Sequence, residues 1–204
     1  MRRSLSPVLA LAAALVVGAC RDDRPDPAAP DADAASDARA ATSPGVRVYQ
    51  FRTEEDAALT AAGTANDFCA SAPFAVNVKL NAYAWSHRTR ASDGLVVNED
   101  ARRLGVVVAC ARLTDFAFPP GLQQNFYAQF RLPAGTFTAL GTCTLISNDV
   151  PRAGLVLAGC TLRVAPAPGI VGGAATSLSV FNPFRLPGFN TGSYWTIQVY
   201  EAGA

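Results

Sequence analysis

The chain has one histidine, His87, and one lysine, Lys79, among its 204 residues. A single imidazole cannot build a zinc site that needs several histidines of the same chain, so that class of metal site is excluded. The formal net charge is only +1, and no electrostatic argument favours nucleic acid or an anionic surface as a partner. We therefore expect no metal, no other cofactor and no nucleic-acid partner.

Motifs that would mark catalysis are also missing. The sequence contains no G-x-S-x-G nucleophile elbow, no C-x-x-C pair and no glycine-rich phosphate loop with a following lysine. Beyond residue 20 it has no apolar run of about 18 residues or more, the length that a membrane-spanning helix requires. These absences favour a binding or structural role over catalysis.

The first 20 residues have the composition of an export signal. Two arginines precede an apolar run over residues 5–17, which is too short to span a bilayer, and small residues follow. The ending Val17-Gly18-Ala19-Cys20 resembles the lipobox of bacterial lipoproteins. The resemblance implies cleavage before Cys20, a diacylglyceryl group on its sulfur and a membrane anchor. It also implies the outer membrane, because Arg21 replaces the aspartate that retains such proteins at the inner membrane; either face of the outer membrane stays open.

The rest of the chain divides into a tether and a domain. Residues 21–45 are rich in Ala, Asp and Pro and poor in β-branched and aromatic residues, which predicts a disordered tether. The predicted organisation is therefore a signal peptide over 1–19, the lipidated cysteine and tether over 20–45, and a single domain over 46–204.

The domain sequence predicts an all-β fold. Runs rich in β-formers are separated by Gly, Pro, Asn and Asp clusters, and one helix is expected over 54–62 with Thr53 as its N-cap. Eight strands joined mainly by short loops indicate an antiparallel barrel or sandwich with at most one short helix. The predicted strands lie near 46–52, 74–87, 104–113, 124–132, 136–146, 154–164, 174–181 and 193–200.

Several of these strands alternate between apolar and polar residues. In 124–132 one face carries Phe126, Ala128, Phe130 and Leu132, as expected for a sheet with one face in water, and 74–80 shows the same period of two. Residues 104–111 are apolar on both faces apart from a glycine. That pattern predicts a central strand, or one whose outer face is covered by a loop.

The cysteines predict two disulfides. In an antiparallel hairpin the residue numbers of paired positions have a constant sum, and Cys143 and Cys160 are centred on the turn between the strands 136–146 and 154–164. Both cysteines also fall on the apolar faces of those strands. We therefore predict the pair Cys143–Cys160, which leaves Cys69–Cys110; free buried thiols are the alternative.

The candidates for catalysis are weak. His87 follows Ser86, but adjacent strand residues point to opposite faces, so a hydrolase would need another nucleophile, with Asp93 or Asp115 as the orienting acid. The acidic residues of the domain fall mostly in predicted turns or in the predicted helix, and none lies at a clear inward-facing strand position. Residues 93–100 offer oxygen ligands for calcium, but the spacing differs from an EF-hand and favours a solvated loop with local ion pairs.

The best binding candidate is the segment 181–195, which mixes aromatic and hydrogen-bonding side chains. Aromatic rings next to such side chains suit a sugar or an apolar ligand, and two aromatic residues of the strand 74–87 could extend the surface. The alternative is a Pro/Gly loop whose rings plug the core. The predicted ligand-binding residues are Tyr83, Trp85, Phe184, Arg185, Phe189, Asn190, Tyr194 and Trp195.

We interpret the sequence as a lipid-anchored protein of the cell envelope with a non-catalytic binding or structural domain. Its partner would be a glycan, an apolar ligand or another envelope protein. The alternatives are a hydrolase that uses His87 or scattered carboxylates, and a carrier of apolar ligands with a hollow barrel. A glycan binder needs exposed coplanar rings, a hydrolase needs its groups in one cleft, and a carrier needs a cavity lined by alternate strand residues.

Overall fold

The computed structural model describes residues 45–202. The predicted signal peptide, the lipid attachment at Cys20 and nearly all of the tether lie outside the described residues, so these stay predictions. Within residues 45–202, no helix has the length and apolar character needed to cross a membrane.

Ten strands and two short helices make up the described part of the chain. The strands are β1 (Val46–Glu55), β2 (Val78–Trp85), β3 (Arg88–Thr89), β4 (Val96–Val97), β5 (Arg103–Arg112), β6 (Gln123–Leu132), β7 (Gly135–Ser147), β8 (Val156–Val164), β9 (Ile170–Phe181) and β10 (Gly192–Glu201). The helices are α1 (Ala57–Ala61) and α2 (Asn66–Ala70), both between β1 and β2.

Eight of the strands close into an antiparallel barrel. The order around the barrel is β1-β10-β9-β8-β7-β6-β5-β2. Each of these eight strands pairs with the long strands that come before and after it in the sequence. Strand β1 closes the barrel because it pairs with both β2 and β10. The two-residue strands β3 and β4 form a separate hairpin. The predicted all-β fold and its eight strands are confirmed, and the barrel is the one of the two predicted architectures that forms.

The prediction of one helix over 54–62 was wrong, because the first helix begins only at Ala57 and a second helix follows it. Strand β1 continues to Glu55 because its last residues pair with β2 on one side and β10 on the other. Helix α1 is capped by Asp56, whose Oδ1 accepts a hydrogen bond from the amide of Leu59 at 2.8 Å, and not by Thr53. The second helix, α2, and the β3–β4 hairpin have no counterpart in the sequence-based prediction.

Large side chains fill one end of the barrel, called here the packed end. Rings meet across it, with centroids 5.3 Å apart for Tyr49 and Phe137 and 5.9 Å apart for Phe51 and Phe130. Ile197 and Val199 of β10 are buried beside them. An eight-stranded barrel is just wide enough for its inward side chains to fill it, so rings and branched residues leave no room at this end.

The opposite end, called here the mouth, receives four of the connections between barrel strands, while residues 86–102 join β2 to β5 at the packed end. Residues 56–77 with both helices, 113–122, 148–155 and 182–191 all join strands at the mouth. The first and last described residues lie at the packed end, where the amide of Glu201 donates to the carbonyl of Gly45 at 2.7 Å. Residues 45 and 202, the first and last that the structure describes, therefore lie at the end away from the mouth.

Both predicted cysteine pairs lie at disulfide distance. Cys143 and Cys160 face each other directly in the β7–β8 register, inside the barrel, with Cα atoms 4.0 Å apart. Cys69 of α2 pairs with Cys110 on the outer face of β5, with Cα atoms 5.5 Å apart. Two disulfides are compatible with an exported protein.

The helical segment between β1 and β2 explains why β5 is apolar on both faces. The inward residues of β5 face the lumen. Val108 and Cys110 of β5 point outward and are buried under Ala65 and Cys69 of the helical segment. Phe68 stacks on Tyr127 of the neighbouring strand with ring centroids 4.5 Å apart. The prediction that this outer face is covered is confirmed, and the cover is a short helix.

We predict that the two disulfides stabilise different parts of the fold. Replacing both Cys69 and Cys110 by Ala should lower the free energy of unfolding by about 4 kcal/mol, because the open loop regains entropy in the unfolded chain. Hydrogen exchange should rise over 57–77 while β7 and β8 stay protected. Chemical denaturation and exchange mass spectrometry measure both effects.

The matched control is the pair Cys143→Ala and Cys160→Ala, which opens the shorter loop and should raise exchange in β7 and β8 instead. An unchanged denaturation midpoint in both double variants, or the same exchange pattern in the two, would contradict this division of roles.

Candidate functional site

A cavity of about 110 Å³ opens from the lumen towards the mouth. It exists because the inward positions at this end carry small side chains where the packed end carries rings. Alternate residues of single strands line it, as in Val78, Leu80 and Ala82 of β2. The small lining residues are Ala82, Ala109, Ala111, Ala158, Ser179, Gly192 and Ser193.

Aromatic rings form the floor of the cavity and separate it from the packed end. Trp195 is only 3% exposed, and its ring lies 6.3 Å from that of Phe126 and 5.0 Å from that of Phe130, centroid to centroid. Phe126 and Trp195 line the cavity, whereas Phe130 belongs to the packed end. The disulfide Cys143–Cys160 forms part of the wall at the same level.

One side of the cavity is polar. The hydroxyl of Ser179 lies 2.8 Å from that of Ser193 and 3.0 Å from that of Ser177, which gives a row of three hydroxyls across β9 and β10. Thr53 lies next to this row and donates its hydroxyl to the carbonyl of Ser193 at 3.4 Å. An apolar lining with a few fixed polar groups is the usual composition of a small-molecule site.

Glu55 lies at the junction of the cavity and the mouth. Its two carboxylate oxygens each accept a hydrogen bond from the guanidinium of Arg185 at 2.8 Å. The Glu55 side chain is only 4% exposed while that of Arg185 is 60% exposed, so the pair joins the end of β1 to the 182–191 loop at the water boundary. The hydrogen bonds to Glu55 raise the pKa of Arg185 above its usual value.

A wider depression of about 330 Å³ lies outside the cavity and shares several lining residues with it. Its rings are Phe118, which is buried, Phe181, which is half-buried, and Phe116 and Phe184, which are exposed. The 182–191 loop beside it is shaped by Asn182, whose buried amide donates to the carbonyls of Leu186 and Phe189 at 2.9 and 2.8 Å. The mouth therefore has an apolar rim held by a hydrogen-bonded loop.

His87 lies away from the cavity, on the outer face of the barrel. Its ring packs edge to face on Tyr194 with centroids 5.6 Å apart. Burial and the positive charge of Arg52 lower the pKa of His87 below its usual value, which favours the neutral imidazole.

The other residues considered for catalysis have local structural roles. The hydroxyl of Ser86 accepts from the amide of Arg102, and Asp115 accepts from the amide of Ala117, both at 2.8 Å. Asp93 pairs with Arg90. These groups do not come together with His87, so the geometry does not assemble the hydrolase alternative.

The segment 93–100 forms local ion pairs, as the sequence predicts. Asp93 pairs with Arg90, and Glu99 lies 3.4 Å from Arg88. Across residues 45–202 there is no group of three or more His, Cys, Asp or Glu side chains that could hold a metal ion.

The eight predicted ligand-binding residues do not form one surface. Trp195 lines the inner cavity, while Phe184 and Arg185 line the depression at the mouth. Tyr83, Trp85 and Tyr194 point outward from the barrel, and Phe189 and Asn190 belong to the loop between β9 and β10. Trp195 and Trp85 lie on opposite faces of the barrel wall, because adjacent residues of β10 face opposite ways and Tyr194 takes the outer side.

Arginines cover the outer aromatic residues. The guanidinium carbon of Arg52 lies 5.7 Å from the centre of the Trp85 ring, and that of Arg103 lies 4.9 Å from the centre of the Tyr83 ring. The two rings meet at an interplanar angle of 75°. This edge-to-face arrangement differs from the coplanar rings that stacking on a sugar requires.

Sequence reasoning missed Glu55, which was placed in a helix and described with the acidic residues that do not point inward. It also missed the small lining residues, because a single alanine gives no local signal of a cavity. The alternation of β5 and β8 could have located Ala109 and Ala158, since both share a face with the predicted core residues of their strands.

No protein-family model matches the chain, and neither a curated protein nor a solved structure matches it.

We predict that His87 titrates below its ordinary pKa of 6.5. Because the folded protein binds this proton less readily than the unfolded chain, acidification through the range below 6.5 should lower the free energy of unfolding. Replacing Arg52 by Gln should raise the pKa of His87. The one imidazole makes the NMR titration unambiguous.

Arg88→Gln is the matched control, because Arg88 is a nearby exposed arginine that pairs with Glu99. It should leave the His87 titration unchanged. A His87 pKa at or above 6.5 in the unsubstituted protein would refute the described environment.

Proposed function

We propose that the protein is an exported, lipid-anchored envelope protein whose barrel binds a small apolar molecule without chemically changing it. The observation that carries the proposal is the cavity at the mouth, lined by alternate residues of the barrel strands. A carrier with a hollow barrel needs such a lining, whereas a glycan binder needs exposed coplanar rings and a hydrolase needs its catalytic groups in one cleft.

The cavity is suited to a ligand of about one aromatic ring. An eight-stranded barrel holds at most one small ligand, and an apolar cavity of about 150 Å³ in another protein binds benzene or xenon. The cavity here measures about 110 Å³, but it opens into the depression at the mouth, so a ligand can extend past Phe118 and Phe181.

Burial of apolar surface would supply most of the affinity. Leu80, Val107 and Leu145 line the cavity together with the rings of its floor, and each apolar Å² removed from water contributes about 25 cal/mol. The lining residues belong to hydrogen-bonded strands, two of which are also joined by the disulfide Cys143–Cys160. Few side chains or backbone segments therefore need to become ordered when a ligand binds.

The rival functions have less support. A glycan binder would use the outer rings, which meet edge to face and lie against Arg52 and Arg103. A hydrolase would use His87, which packs on Tyr194 outside the barrel. The lipid anchor at Cys20 rests on the lipobox resemblance alone, and the two disulfides are compatible with export.

Toluene binding tests the proposal. Calorimetry of residues 20–204 with Cys20→Ala, which prevents acylation, should detect one toluene site. Ala158→Leu should lower the toluene affinity by about tenfold or more, because the added carbons occupy the cavity in place of the ligand.

Ala174→Leu is the matched control, since it adds the same carbons to an exposed outward position of β9. It should leave toluene binding unchanged. Absence of toluene binding in the unsubstituted protein, or equal affinity in both leucine variants, would contradict the proposal.

A further inference from the structure

We propose that the ligand in the barrel carries one neutral hydroxyl group, which Gln124 binds from one side of the lumen and the serine hydroxyls of β9 and β10 bind from the other. This inference rests on the proposed function, because it specifies the chemistry of the molecule that enters the same cavity.

Gln124 is a buried polar side chain that lines the cavity. It lies near the start of β6, points into the lumen opposite Cys143 in the register, and is only 7% exposed. Within residues 45–202 no hydrogen bond joins its side-chain amide to another group of the chain, and the amide is not among the fully buried polar atoms, so it faces the open space of the cavity. An amide that lines an apolar cavity and has no partner in the chain is free to bind a polar group of a ligand that enters the cavity.

The serine row faces Gln124 across the barrel. In the strand order, β6 and β10 are four strands apart in either direction, so they lie on opposite sides of the lumen. The row Ser177–Ser179–Ser193 is joined by two hydrogen bonds. Two bonds use two of the three hydroxyl protons, so the row keeps one proton and several lone pairs for a further partner.

A hydroxyl is the group that these partners fit best. It donates one hydrogen bond and accepts others, and so it can satisfy the Gln124 amide and a serine hydroxyl together. The charge of Glu55 is already balanced by Arg185, so a charged ligand would bring an unpaired charge into an apolar cavity. The class of ligand is therefore a small apolar molecule with one neutral hydroxyl, such as a phenol.

Phenol and toluene separate this inference from the proposed function, because they have the same size and differ by a hydroxyl in place of a methyl group. Calorimetry of residues 20–204 with Cys20→Ala should give an affinity about fivefold higher for phenol than for toluene, as expected for one net hydrogen bond. Gln124→Leu should remove or reverse this preference while toluene still binds.

Two further variants complete the test. Gln123→Leu is the matched control, because this neighbouring glutamine is exposed and lies outside the cavity lining, and it should keep the preference for phenol. Ser193→Ala removes a hydroxyl from the opposite wall and should also weaken phenol binding without weakening toluene binding.

The outcomes are distinct. Toluene that binds as tightly as phenol, or a phenol preference that survives Gln124→Leu, overturns the inference and leaves the apolar cavity as proposed. Binding of neither compound overturns both proposals. A preference for phenol that is lost in Gln124→Leu and in Ser193→Ala, but kept in Gln123→Leu, supports the inference.

Discussion

Closure of eight strands into one barrel is the constraint on which the other features depend. It fixes the width of the lumen, and it sends every second side chain of each strand inward. The size of those side chains then decides where the lumen is filled. Phe51, Phe130 and Phe137 fill one end, while alanine and serine leave the other end open above Trp195. The cavity is therefore a consequence of where large and small residues stand along the strands.

The connections of the barrel divide in the same way as its lumen. The packed end carries the described chain ends and the connection 86–102, and the mouth carries the two helices and the connections 113–122, 148–155 and 182–191. The disulfide Cys69–Cys110 attaches the connection 56–77 to the outer face of β5. The ion pair Glu55–Arg185 attaches the connection 182–191 to the end of β1. A covalent bond and an ion pair therefore both hold connections of the barrel at its mouth.

The sequence predicts the strands and the cysteine pairs well, because both follow from side chains that alternate between the two faces of a strand every two residues. The hairpin sum that pairs Cys143 with Cys160 depends only on the turn between β7 and β8. The cavity is harder to predict, because Ala109, Ala158 and Ser193 come from strands far apart in the sequence and meet only in the closed barrel. Glu55 was missed for a different reason: its acidic neighbours look like a first helical turn, and only its pairing with Ala82 of β2 and the hydrogen bond from its amide to the carbonyl of Thr191 keep it extended.

Ligand binding in the barrel requires the mouth end of the lumen to be an accessible apolar cavity. Xenon binding in crystals of the protein tests this requirement most directly, since xenon enters apolar cavities of this size and is located by its scattering. We expect a xenon atom between Ala109, Ala158 and Trp195, and none at the packed end among Phe51, Phe130 and Phe137. Ordered water or protein side chains in place of xenon at the first position would contradict it.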